Sequence, residues 1–145
     1  MSADRIFIID DSPPDRMIFS RCLTRSGVTA AVSEHDSPEE GLRALQSAIE
    51  ARRGAEDPGR IFAFVDVRVP RMSGFELVER LAAEFQPDPR LRIWILTSST
   101  HPEDLARARR SALVEGLLPK PMSVEQMREL LRPPSDPQYR CGGTG

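Results

Sequence analysis

Two cysteines in 145 residues leave no material for a disulfide framework or a zinc site. Cys22 lies inside a helical pattern and Cys141 in a glycine-rich tail, so both read as ordinary thiols. Histidine is as scarce: His35 and His101 have no second ligand at useful spacing and read as polar loop residues. An excess of basic charge is also missing. A formal net charge of -2 gives no general electrostatic reason to bind nucleic acid or an anionic membrane. The longest apolar runs are about half a dozen residues, far short of a bilayer span. The first residues, Met-Ser-Ala-Asp-Arg, lack the apolar stretch of a signal peptide, and a cytoplasmic location is expected. No internal repeat is visible, and the length suits one domain with a real core.

What the chain does have is an alternation of strand and helix signals, repeated five times. Arg5–Asp10, Ile61–Asp66 and Ile93–Thr97 are continuous apolar runs, as expected of parallel strands covered on both faces. Val28–Ser33 alternates, with Val28, Ala30 and Val32 on one side, which predicts a half-buried edge strand. Gly116–Leu118 is short and closes the other edge. These are the strands of a five-stranded, doubly wound α/β sheet with five helices. Helix starts are marked by Ser37-x-x-Glu40, Ser73-x-x-Glu76, Thr100-x-x-Glu103 and Ser123-x-x-Gln126, with Ser12-x-x-Asp15 a near match. Pro13, Pro38 and Pro102 sit in or beside first turns, where a missing N–H costs little.

The apolar stripes of the helices read as core: Leu42, Leu45 and Ile49; then Phe75, Val78, Leu81, Ala82 and Phe85; then Val124, Met127 and Leu131. The fourth helix is thinly anchored by Leu105, Ala108 and Ala112. Its Arg107, Arg109 and Arg110 read as a basic patch on an otherwise acidic chain, suited to an acidic partner or simply solvated. Gly54–Arg60 reads as a polar loop. Residues 133–145, rich in Pro and Gly, read as a disordered tail after a domain spanning 1–132.

Charged residues stand directly after three apolar runs: Asp10 and Asp11, then Asp66, then Lys120. In an open parallel sheet the carboxyl ends of the strands converge on one crevice. Three carboxylates and an ammonium would then share a pocket, and acids so close repel unless a cation sits among them. An idle charge after Ile-Phe-Ala-Phe-Val would cost several kcal/mol of desolvation. The pattern points to a metal-dependent acyl-phosphate site.

Four motifs in order carry a family resemblance: Asp10-Asp11-Ser12-Pro13, Asp66-x-x-x-Pro70-x-Met72-Ser73-Gly74, Ile95-Leu96-Thr97-Ser98 and Lys120-Pro121. The chain, from residue 5 to about 132, closely resembles the receiver domain of bacterial two-component response regulators, in its single-domain, chemotaxis-receiver-like form. The resemblance implies a flavodoxin-like sheet of order 2-1-3-4-5. It implies that Asp66 accepts a phosphoryl group from a histidine kinase or phosphotransfer protein. Asp10, Asp11, Asp66 and the backbone carbonyl of Arg68 would hold Mg²⁺, while Lys120 and Thr97 would contact phosphoryl oxygens. Arg68, Ser98 and Ser99 would tune dephosphorylation, and the Lys120–Pro121 peptide is expected to be cis. Such a protein is a self-phosphorylating and self-dephosphorylating switch rather than an enzyme, acting through protein contacts on a downstream target that the sequence does not name.

Departures from the family pattern fall on the output side: Val69 where Met is usual, Leu117 where an aromatic couples to the threonine, and Leu113-Val114 in place of Gly-Ala. They give weight to one rival, a phosphorylation-independent pseudo-receiver acting as an interaction module. A haloacid-dehalogenase-like hydrolase is disfavoured because its acid–base carboxylate would fall at Arg68, which cannot exchange protons near neutral pH. A flavodoxin-like cofactor protein is disfavoured because Asp10 and Asp11 would repel an FMN phosphate.

Overall fold

The computed structural model of the chain describes residues 4–55, 59–68, 71–98 and 101–132. Val69, Pro70, Ser99, Thr100, Cys141 and the predicted tail lie outside the described residues. Five strands and five helices alternate: β1 (Arg5–Ile9), α1 (Pro13–Ser26), β2 (Ala31–His35), α2 (Pro38–Ala51), β3 (Ile61–Asp66), α3 (Gly74–Glu84), β4 (Leu91–Thr97), α4 (Pro102–Arg110), β5 (Val114–Pro119) and α5 (Val124–Leu130). The strands form one parallel sheet of order β2-β1-β3-β4-β5. This is the flavodoxin-like topology.

The continuous apolar runs are explained by burial on both faces. Phe7, Ile9, Ala63, Val65, Ile93 and Ile95 point into one layer with α2 and α3. Ile6, Ile8, Phe62, Phe64, Trp94 and Leu96 point into the other with α1 and α5. There Trp94 stacks on Phe64 with ring centroids 5.3 Å apart, and Phe19 tilts onto Phe64 at 4.9 Å. Burying a large apolar side chain contributes about 1.5–3 kcal/mol, so this double layer fixes the sheet, and with it the strand ends that carry the site.

Several expectations need correction. β2 is Ala31–His35, not Val28–Ser33, because register with β1 pairs Arg5 with Ala31 and Ile9 with His35. Val28 and Ala30 pack against the α1/α5 layer before the strand begins, while Val32 is exposed. His35 is no loop residue: it ends β2, half-buried, its ring 6.1 Å from that of Phe7. Helix α4 begins at Pro102 with His101, not Thr100, as its N-cap, since a residue before proline is driven out of the helical region. Ala82 is exposed on α3, and Ala112 lies exposed beyond the end of α4, leaving Ala108 as the buried anchor of that helix.

Arg107 is already engaged within the chain. Its guanidinium pairs with Glu79 of α3 at 3.2 Å and lies over the Phe75 ring. Arg60, expected in a polar loop, is 6% exposed. It forms an ion pair with Asp4 at 2.7 Å and donates to the carbonyl of Arg132, joining the two ends of the fold.

Candidate functional site

The site lies along the sheet edge where β1, β3, β4 and β5 end. Asp10 follows β1 and is 1% exposed, Asp66 is the last residue of β3 at 7%, and Thr97 the last of β4 at 2%. Lys120 follows β5, and its backbone N–H donates to the Thr97 carbonyl at 2.9 Å. The Lys120–Pro121 peptide is cis. Asp11 is exposed beside Asp10, and Arg68 and Ser98 are exposed at the rim.

Local folding around β1 aims the acids. The Asp10 N–H donates to the His35 carbonyl, its Oδ1 accepts the Ser12 N–H at 2.9 Å, and its own carbonyl accepts from Arg16 Nη1 at 2.6 Å. Around β3 the constraint is steric. Gly74, the first residue of α3, packs so tightly on the strand end that a Cβ there would stand 2.5 Å from the Asp66 carbonyl oxygen. The Asp66 Oδ1 accepts the Arg68 N–H at 3.3 Å.

One carboxylate oxygen from each of Asp10, Asp11 and Asp66 lies within 4.8 Å of the other two. Burial, and then the neighbouring Asp10 carboxylate, push the Asp66 carboxyl up from 3.8 to about 6, with Lys120 opposing them. A carboxyl so raised marks a group whose charge lacks full compensation from the chain. Lys120 supplies part of it: its Nζ lies 3.0 Å from Asp10 Oδ2 and 3.4 Å from Asp66 Oδ2. Burial disfavours the ammonium, but hydrogen bonds to Asp15 and Asp10 outweigh it and hold the Lys120 pKa above its ordinary value.

The all-oxygen donor set fits a hard divalent cation such as Mg²⁺, which keeps several waters and needs few protein ligands. Beside the ammonium, Ile8, Ile18, Phe19, Leu96 and Met122 help line a cavity of about 180 Å³. Two neighbours escape sequence reasoning. Arg16 carries no motif to mark it, yet it bridges the Asp10 carbonyl and Glu34, at 3.3 Å from the latter. Asp15 looks like a capping residue alone, yet its Oδ2 is 2.7 Å from Lys120 Nζ. Nothing local announces a contact between residues 105 positions apart.

Comparison with known proteins agrees with this architecture. The family model for the response regulator receiver domain matches residues 6–132. The two-component response regulator ORR1 of Oryza sativa is 25% identical over 128 residues, 87% of this chain and 53% of that protein. The chain thus spans about half the length of the curated relatives it matches. A response regulator receiver protein from Dyadobacter fermentans superposes with a TM-score of 0.71 at 26% identity, covering 90% of this chain and 96% of that one. A two-component response regulator from Cytophaga hutchinsonii gives 0.75 at 21% identity, covering 90% and 95%.

Proposed function

Because the chain belongs to the response regulator receiver family, we propose that Asp66 takes a phosphoryl group from the phosphohistidine of a kinase or phosphotransfer protein and passes the signal on by protein contact. Receiver domains are phosphorylation-dependent signalling switches rather than enzymes in their own right. The observation that carries the reading is the gathering of one carboxylate oxygen from each of Asp10, Asp11 and Asp66 within 4.8 Å, with one ammonium spanning two of these acids.

An Asp66 carboxylate oxygen attacks phosphorus as the P–N bond to the donor imidazole breaks. The phosphoryl group moves to Asp66 as an acyl phosphate, and the imidazole leaves with the bonding electron pair and a proton from solvent. Such transfers depend mainly on positioning and on neutralising charge on the phosphoryl oxygens. Asp10, Asp11, Asp66 and the Arg68 carbonyl would hold Mg²⁺, which supplies that neutralisation when bound. Lys120 pairs with one phosphoryl oxygen, and the Thr97 hydroxyl donates to another. Arg68, Ser98 and Ser99 would tune the lifetime of the phosphate.

Intact mass after incubation with acetyl phosphate and Mg²⁺ tests the reading. One phosphoryl adduct is expected on the native chain, and none on Asp66→Ala or without the metal. A stoichiometric adduct on Asp66→Ala, or no adduct on the native chain, refutes it.

A further inference from the structure

We propose that Asp15 is a positioning residue for Lys120: it holds the ammonium toward α1 and competes with the phosphoryl group on Asp66 for it. The inference rests on the phosphoacceptor reading above. An ammonium has three N–H donors, and three carboxylates surround this one: Asp15 at 2.7 Å, Asp10 at 3.0 Å and Asp66 at 3.4 Å. The shortest contact goes to an acid outside the metal-binding cluster and the longest to the phosphoacceptor.

Asp15 is free to do this because its capping duty is taken over. In a full capping box the third helical residue reaches back to the N-cap N–H. Here Asp10 Oδ1 already accepts the Ser12 N–H, while Asp15 gives only its backbone N–H to Ser12 Oγ at 3.3 Å. The carboxylate is left to reach Lys120 from the first turn of α1, after Pro13 and Pro14. A phosphoryl oxygen at Asp66 therefore has to draw the ammonium away from a partner it already holds more closely. Removing the Asp15 carboxylate should let Lys120 settle on the phosphoryl group.

Calorimetric titration of the full chain with beryllofluoride at saturating Mg²⁺ tests this, using Asp15→Asn and, as a second removal of the same carboxylate, Asp15→Ala. Thermal midpoints verify that each variant is folded. Both should bind beryllofluoride about threefold more tightly than the native chain, the scale of a partly exposed ion pair. In a Lys120→Met background the gain should vanish, which separates an effect through the ammonium from loss of a nearby negative charge. Unchanged or weaker binding in both variants overturns the inference, as does an equal gain with Lys120 replaced. If the native chain itself fails to bind beryllofluoride, the phosphoacceptor reading falls first and the inference with it.

Discussion

Replacing Asp66 by asparagine should stabilise the metal-free fold at neutral pH while abolishing phosphorylation. The folded-state carboxyl is raised to about 6 from an ordinary 3.8, first by burial and then by Asp10. Between those two values the folded state binds more protons than the unfolded chain, so stability falls as pH rises through this window. Above pH 6 the ionised Asp66 therefore opposes folding. At 1.36 kcal/mol per pH unit the displacement sets an upper bound of about 3 kcal/mol, and relaxation of the site should leave about 1–3 kcal/mol measurable, on the order of one strong mutational effect. The carboxamide introduced by Asp66→Asn mimics the protonated acid at nearly constant volume and keeps an oxygen for the Arg68 N–H. Urea unfolding followed through Trp94, in EDTA, at pH 7.5 and pH 4 measures it. The variant should be the more stable at pH 7.5, and its advantage should shrink to a small remainder at pH 4, near the bottom of that window. Saturating Mg²⁺ should narrow the gap by stabilising the native chain. A native chain more stable than the variant at pH 7.5 without metal refutes the electrostatic argument.

Gly74→Ala should cost about 1–3 kcal/mol by overpacking, because the obstacle to its Cβ is the Asp66 backbone carbonyl rather than a side chain that could turn away. The same shift should displace Asp66, so beryllofluoride affinity measured on the folded variant should drop as well; unaltered stability and affinity would contradict the close approach. Arg60→Leu should lower stability by about 1–3 kcal/mol, since it takes the guanidinium from Asp4, leaving it the backbone N–H of residue 60, and from the carbonyls of Leu131 and Arg132 at the far end of the sheet. Phosphorylation by acetyl phosphate should survive that change at temperatures where the variant is folded, and its loss there would show that Arg60 reaches the site.

The recurrence of short apolar runs bounded by acids, and of serines three residues before Glu or Gln, determined the element count and most helix starts. The reason is local: Ser12, Ser37, Ser73 and Ser123 each accept a backbone N–H from their own first turn. Buried parallel strands need apolar side chains on both faces, so β1, β3 and β4 are visible without knowing their neighbours. The placement of Asp10, Asp66, Thr97 and Lys120 at strand ends was legible for the same reason. The edge strand was not: its register is set by pairing with β1, and Val32 has the chemistry of a core residue without the neighbours.

Charge partners lay equally beyond the sequence. The arginines of α4 look alike in one dimension, yet Arg107 is tied to Glu79 because α3 packs alongside. Asp15 looks like half of a capping box until Asp10, held by β1, takes the Ser12 N–H in its place. Periodicity and capping are properties of a few consecutive residues and can be read from them. Which acid an ammonium holds depends on how far apart the sheet sets α1 and the end of β5, and only the tertiary structure decides that distance.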